Sequence, residues 1–312
     1  MKSADYQSQI DSMLLPGLTD NYIEKNDVTI VIPTLNEEKG IELVLKDVLL
    51  TGYQNVMVID GNSIDETVEI VKDMNISVYP QSGRGKTGAI KTALKYIKTP
   101  YFVVIDGDYT YSVKDIEVLL EKAPFCNQVI GARRDRVNIK RLNRFGNDLI
   151  NVFFNFSFSP RLTDVCSGLY ILKTSFAKRL VLETGGFDLE VEIAAQAAES
   201  NKIEESPISY GSRIGVQKLN PFRDGFKIIS SIVKLGKKYN PLVFYSYFIG
   251  LLVFFFGFGV AVIDIFASLK DLSFPILNYF SFLFIGIGVQ LLIMAVLLSQ
   301  LKYLMKKQYK SS

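Results

Sequence analysis

The stretch YFVVIDGDYT (101–110) runs from apolar and aromatic residues straight into Asp106-Gly107-Asp108. On an extended chain, residues i and i+2 point to the same side. The spacing therefore predicts two carboxylates facing one way, repelling each other, with a positive charge needed between them. Oxygen ligands of this kind suit a hard divalent cation, which takes one or two carboxylates and completes its shell with substrate phosphates. The bland alternative is a pair of turn aspartates capping the helix SVKDIEVLLEKA, where Ser112 is already the better cap.

Composition narrows the chemistry further. The 312 residues contain no His and no Trp. Ser-His-Asp triads, His-bound zinc and imidazole bases are excluded at once. An enzyme with this sequence works through carboxylates, Lys, Arg or an oxygen-bound metal. Cys126 and Cys166 show no CxxC spacing and read as reduced core residues. The net charge of +3 argues against a dedicated nucleic-acid binder.

The elements that must position these residues alternate along the first half of the chain. Apolar strands are expected at 27–33, 55–60, 76–80 and 101–106. Helices are expected at 37–52, 63–75 and 85–99, the second with Ser63 as N-cap and Glu66 at the capping-box position. Such alternation predicts a doubly wound, mostly parallel sheet. Ligands of these sheets bind outside the carboxyl ends of the strands. Here those ends carry PTLNEE, DGNS and DGD, which points to one shared site. SGRGKTG (82–88) fits neither the P-loop spacing nor a dinucleotide fingerprint. Lys86 within it is either a charge aimed at a phosphate or a solvated helix start.

The second half changes character. No charged residue occurs from Tyr239 to Ile263 or from Leu272 to Leu301. Each run exceeds the roughly 20 residues a helix needs to cross a bilayer. The sequence predicts two transmembrane helices, at about 241–263 and 274–299, joined by a turn from Asp264 to Asp271. Arg223, Lys227, Lys234, Lys237 and Lys238 precede the pair, and Lys302, Lys306, Lys307 and Lys310 follow it. This distribution puts both ends and the large N-terminal region in the cytoplasm. The polar N-terminus shows no cleavable signal pattern. Two further segments read as lying on the bilayer: the Phe-rich 147–158, and 222–239, which sets Phe222, Phe226, Ile229, Ile232 and Val233 against Arg and Lys. The alternative for both is packing as core helices of the globular part.

VIPTLNEE, VIDGNSIDET, GRGKTGAIKTAL, VIDGDYTY, VIGARR, DVCSGLY and PISYGSRIGVQKL follow one another in an order that resembles family 2 glycosyltransferases of the GT-A fold. The closest likeness is to the branch making polyprenyl- or dolichyl-phosphate mannose, glucose or N-acetylglucosamine. The resemblance covers about residues 27–220. It implies an α/β GT-A nucleotide-sugar-binding domain there, after an N-terminal extension (1–26). An amphipathic interfacial helix (221–240), the two-helix hairpin (241–301) and a basic tail (302–312) then follow.

The resemblance also implies roles. Pro33, Leu35 and Glu37 match the strand end that contacts the nucleotide. Asp60 and Asn62 stand where the family usually has two adjacent acidic residues, and Lys86 completes the nucleotide set. Asp106 and Asp108 match the DxD motif, which holds Mg²⁺ or Mn²⁺, with Asp106 also on the nucleotide. Mannose synthases often have a glutamine ligand where this chain has Thr110, leaving Thr110 and water to complete the shell. Arg133, Arg144, Arg213 and Lys218 match phosphate-contacting positions for the acceptor, with Arg213 grouped with the two aspartates as catalytic. Glu190 and Glu192 match an acidic position used as a base elsewhere; here an orienting role is expected, because a lipid phosphate has no proton to surrender.

The implied reaction is an inverting, metal-dependent transfer from a nucleotide sugar to dolichyl or polyprenyl phosphate at the membrane. A UDP-sugar is favoured as donor, with GDP-mannose the alternative. A processive polysaccharide synthase would carry a QxxRW-like motif, and this chain has no Trp. A membrane-tethered nucleotide-sugar-binding protein is the non-enzyme alternative. Association of copies through the apolar helices is left open by the sequence, which does not give the oligomeric state.

Overall fold

Alternate residues of the apolar strands enter two different cores. In β1 (Val28–Thr34), Ile30 and Ile32 face one side and Val31 the other. In β2 (Val56–Asp60), Val58 faces the first and Met57 and Ile59 the second. A strand apolar on both faces is what a sheet covered by helices on both sides requires. A computed structural model of the protein describes residues 22–311 apart from 136, 159, 184, 185, 187, 216–220 and 270–274. It shows a seven-stranded sheet completed by β3 (Ser77–Pro80), β4 (Tyr101–Val104), β5 (Gln128–Arg133), β6 (Tyr170–Lys173) and β7 (Ile203–Ile208). The order is β3-β2-β1-β4-β6-β5-β7. All pairings are parallel except those of β6, which runs against both β4 and β5.

One face is covered by α1 (Ile41–Leu50), α2 (Thr67–Asp73) and α4 (Asp115–Leu120), through Ile41, Leu45, Val48, Val71, Ile116 and Leu119. The other is covered by α3 (Gly85–Ala93), α5 (Arg141–Phe158), α7 (Leu189–Glu199) and α8 (Pro221–Tyr239). The single turn α6 (Thr174–Ala177) follows β6. The apolar helices are α9 (Pro241–Ser268) and α10 (Pro275–Ser311). Only 17% of the most apolar stretch of each is buried, which separates them from core helices of a soluble domain. They pack on each other: a Cβ on Gly257 would lie 2.7 Å from the Ile285 backbone nitrogen, and one on Gly288 would lie 2.6 Å from that of Phe254. The backbones touch there because both positions lack side chains.

Several expectations shift. The first helix begins at Ile41 rather than at 37, because Glu37–Gly40 form a turn closed by the Gly40 amide on the Glu37 carbonyl. The second begins at Thr67, not after Ser63: the Ser63 hydroxyl donates to Asp60 Oδ1 and accepts the Asn36 amide, so it ties two loops together instead of capping. The third ends at Ala93, short of 99. The fourth strand ends at Val104, so Asp106 and Asp108 lie in the loop beyond it. Their relative direction is set by that loop, with Tyr109 at φ +61°, rather than by strand alternation. The first apolar helix continues past Asp264 to Ser268; Lys270 and Asp271 of the expected turn lie outside the described residues.

The segment 222–239 also differs from its reading. Ile228, Ile232 and Leu235 of α8 are buried in the core with α5 and α7, so its apolar stripe serves the domain; Phe226 remains exposed, and the Phe222 side chain is not among those described. By contrast α5 buries Ile150, Phe154 and Phe158 but leaves Phe145, Val152, Phe153 and Phe156 exposed. Asn240 and Lys302 fasten the hairpin to the domain. The Asn240 side-chain amide donates to the Ser157 carbonyl and to Glu199, which also pairs with Lys302 at 3.1 Å.

Because neither sheet core includes a residue of α9 or α10, a chain ending at Asn240 is expected to unfold cooperatively in urea with the sheet intact. One ending at Asn220 loses Ile228, Ile232 and Leu235, each worth roughly 1.5–3 kcal/mol when buried. Its midpoint falls sharply. Equal midpoints for the two chains would show that α8 is not part of the core.

Candidate active site

The carboxyl ends of β1, β2 and β4 meet at one edge of the sheet, and short polar links hold them there. The Gly61 amide donates to the Thr34 carbonyl, the Glu37 amide to the Thr67 hydroxyl, and the Ile64 amide to Asn36 Oδ1. Asn36 and Asn62 adopt positive φ, which short polar side chains tolerate. Asp60 is buried and accepts the Ser63 amide and hydroxyl. Pro33 sits half-buried in β1, Leu35 is exposed beside it, and Asn62 is exposed at the end of β2. The Glu37 carboxylate is buried and meets Arg213.

Two cations from distant segments reach these carboxylates. Lys86, the second residue of α3, lies 2.7 Å from Asp106 Oδ1 and 2.8 Å from Glu190 Oε1. Arg213 divides its guanidinium: Nη1 is 2.9 Å from Asp108 Oδ2 and Nη2 is 3.0 Å from Glu37 Oε1. The positive charge required by the Asp-Gly-Asp spacing is thus supplied from within the chain, one cation per aspartate. Burial alone would lower the Lys86 ammonium; the charges of Asp106 and Glu190 outweigh it and hold Lys86 well above its ordinary range. Burial and then the Asp106 charge push Asp108 up, against the Thr110 hydrogen bonds and the Arg213 charge.

The segment carrying Arg213 is pinned to the loop it serves. The Gly211 amide donates to the Thr110 carbonyl and the Ile214 amide to the Asp108 carbonyl, at 2.8 and 3.1 Å. Tyr210 packs edge-on against Tyr111, and the Tyr111 hydroxyl accepts the Gly168 amide. Gly168 is needed for close approach, since a Cβ there would lie 2.1 Å from Asp106 Oδ2. Gly40 likewise lets the Gly107 carbonyl come near, 2.6 Å from where its Cβ would be.

Not every residue singled out in the sequence joins this cluster. Arg133 donates from Nε and Nη2 to both oxygens of Asp164, each at 2.6 Å, and its guanidinium lies over the Tyr210 ring. Its Nε and Nη2 are committed to this buried fork against Tyr210. Thr110 is 2% exposed and donates its hydroxyl to Asp108 Oδ1 at 2.6 Å, so it orients the aspartate instead of presenting an oxygen to a metal. Arg144 is half-buried in the first turn of α5. Lys218 lies outside the described residues. Asp164, Gly168 and Tyr210 were not singled out; they lie in DVCSGLY and PISYGSR, where only the order of the motifs marked them.

Among the described residues, no group of three or more His, Cys, Asp or Glu gathers as a metal cluster. Asp106 and Asp108 stand as a pair, each with one oxygen fixed, by Lys86 and by Thr110 respectively. Asp108 Oδ2 meets a positive charge in Arg213, and Asp106 Oδ2 lies against the backbone of Gly168. A donor set of two carboxylates fits a hard cation that takes its remaining ligands from a phosphorylated substrate.

Comparison with known proteins agrees with this architecture. Residues 29–179 match the family described as glycosyl transferase family 2. Glycosyltransferase AglJ of Haloferax volcanii is 33% identical over 292 residues, 91% of this chain and 96% of that protein. A dolichyl-phosphate hexose transferase of the same organism is 30% identical over 218 residues, 67% of this chain and 94% of its own length. Glucosyl-3-phosphoglycerate synthase of Mycobacterium tuberculosis, solved with Mn²⁺, UDP-glucose and phosphoglyceric acid, superposes with a TM-score of 0.54 at 17% identity, over 67% of this chain and 79% of that one; this likeness speaks to the fold, which is GT-A. Since the relation to AglJ extends over nine-tenths of the chain instead of stopping at one motif, the chain belongs to glycosyl transferase family 2 and is a glycosyltransferase.

Proposed function

We propose that the protein moves a hexose or N-acetylhexosamine from a nucleotide sugar to a dolichyl or polyprenyl phosphate at a membrane surface. The observation that carries the reading is the meeting of the aspartate pair with Arg213, in a domain fastened to two apolar helices. An anionic acceptor needs a cation beside the carboxylates, and a lipid acceptor needs the domain at the bilayer. The 30% identical dolichyl-phosphate hexose transferase supports this acceptor class. UDP-glucose in the structural neighbour supports a UDP-sugar donor. GDP-mannose is the alternative, since nothing at Asp60 and Asn62 selects a base. The exposed apolar stripe of α5, adjoining α9 through Phe156 and Tyr247, supports contact with the bilayer by that helix. The basic residues flanking the hairpin favour a cytoplasmic active site.

The chain's own groups divide the work as follows. Leu35, Glu37 and Asp60 line the nucleotide side. Asp106 and Asp108 would hold Mg²⁺ or Mn²⁺, which supplies neutralisation of the charge developing on the departing diphosphate. Arg213, held by Glu37 at Nη2, turns its remaining N–H groups to the oxygens of the acceptor phosphate. An oxygen of the lipid phosphate forms the new bond to the anomeric carbon, and the bond to the nucleotide's β-phosphate breaks with its electron pair. The nucleoside diphosphate leaves, and the anomeric centre inverts. No proton has to be removed, because a phosphate monoester with a second pKa near 6 arrives mostly as the dianion.

A panel of radiolabelled UDP- and GDP-sugars, with membranes containing the protein and a short polyprenyl phosphate, identifies the donor. Asp108→Ala is expected to abolish transfer, and EDTA is expected to do the same to the unmodified protein. Near-normal turnover of Asp108→Ala in EDTA would remove the metal from the mechanism.

The same assay tests the acceptor side. The rate with respect to lipid phosphate should rise through about pH 6 and then level, following ionisation of the acceptor. Arg213→Ala should weaken acceptor use by roughly 2–3 kcal/mol, since a charge-assisted bond is lost. Nucleotide binding should not weaken. A loss of nucleotide affinity with unchanged acceptor KM would put Arg213 on the donor side.

A further inference from the structure

Lys86 has two carboxylate partners, and the second has no place in the reaction as described. Glu190 is the second residue of α7, its side chain 7% exposed, between Leu189 and Val191 of the core. A general base must offer a carboxylate oxygen to the acceptor, whereas Glu190 Oε1 is spent on the Lys86 ammonium at 2.8 Å. The Tyr170 hydroxyl is buried and makes no hydrogen bond among the described residues, and the Cys166 thiol lies beside it. The Lys86 ammonium thus stands between two carboxylates, Asp106 and Glu190, while neighbouring Asp108 has its own cation in Arg213.

We propose that Glu190 is the counter-ion of Lys86 and thereby keeps the negative charge of Asp106 available to the divalent cation, making Glu190 a positioning residue and not a base. The inference rests on the reading of Asp106 and Asp108 as the metal-holding pair. With Asp106 as its sole partner, the Lys86 ammonium would cancel that carboxylate and repel a divalent cation a few ångströms away. In a partly buried site such repulsion is weakly screened. With Glu190 balancing it, Lys86 acts on Asp106 chiefly as a hydrogen-bond donor that fixes Oδ1, while the carboxylate packs against the backbone of Gly168. The arrangement also explains why the buried glutamate and lysine occur together. Either one alone would be an uncompensated buried charge.

The test measures Mn²⁺ binding, from the free-ion electron paramagnetic resonance signal, on the full-length protein with UDP present. Glu190→Gln should weaken Mn²⁺ binding about tenfold, because the ammonium is left unbalanced. Glu190→Asp, which keeps the charge, should retain most of the affinity. Adding Lys86→Met to Glu190→Gln should recover most of the loss, since the uncompensated charge is removed and the side chains stay similar in size. A structural role alone predicts no such recovery. Unchanged Mn²⁺ affinity in Glu190→Gln with slowed sugar transfer would overturn the proposal in favour of a base. A double variant that binds no better than Glu190→Gln would also overturn it. Absence of Mn²⁺ binding in the unmodified protein would instead overturn the metal reading itself.

Discussion

Parallel strands that end at one edge crowd their terminal carboxylates, and this chain balances them with two cations brought from far away in sequence. Lys86 comes from the start of α3 and Arg213 from the loop after β7. Pairs of this kind add little to net stability, because taking the charges out of water offsets most of their attraction. What they provide is position. Asp106 is held at one oxygen by Lys86 and Asp108 at one oxygen by Thr110. The surrounding structure is arranged around these holds. Gly168 and Gly40 lack side chains where the aspartate loop passes, and the segment 210–214 is hydrogen-bonded along that loop. The Arg133–Asp164 fork carries Tyr210, which in turn packs on Tyr111.

Periodicity made the sheet legible. The apolar strands and their polar ends are local patterns, and both apolar helices could be read from the absence of charge. Residue type and local spacing marked the Asp106–Asp108 pair, and the resemblance marked Glu37; the structure brings the three together through Arg213. The site was not legible where a partner from another element decides the role. Arg133 was read by resemblance as facing the acceptor phosphate, yet Asp164, 31 residues away, accepts from its Nε and Nη2. Ser63 looked like a cap because the motif was right, but a buried carboxylate three residues earlier claimed its hydroxyl. The stripe on α8 looked membrane-facing because an amphipathic helix presents the same pattern to a bilayer and to a core. Only the neighbouring α5 and α7 decide which surface it covers.

The junction between domain and hairpin has its own logic. Asn240 bridges the end of α5 and Glu199 at the end of α7, and Lys302 of α10 meets the same glutamate. One asparagine and one ion pair thereby join three helices where the chain passes from a polar to an apolar environment. The exposed face of α5 begins beside this junction, with Phe156 against Tyr247, and runs back toward Arg144 and Arg141. Beyond that contact Phe145, Val152 and Phe153 remain exposed. A stripe of that width in water is unfavourable, and it is continuous with helices that are themselves apolar on nearly every side.

This placement bears on the chemistry available to a chain without histidine. On the proposed reading, the acceptor's charged group sits at headgroup depth, and the domain meets it with Arg213 and not with a base. A sugar hydroxyl as acceptor would call for a carboxylate with an oxygen facing the cleft. Among the acidic residues near the aspartate pair, Glu37 is occupied by Arg213 and Glu190 by Lys86. Each has an oxygen on a cation, so neither stands unengaged as a base; the four carboxylates outnumber Lys86 and Arg213, and a divalent cation would meet that excess of negative charge. A phosphate monoester needs no such base, because it brings its own nucleophilic oxygen already ionised.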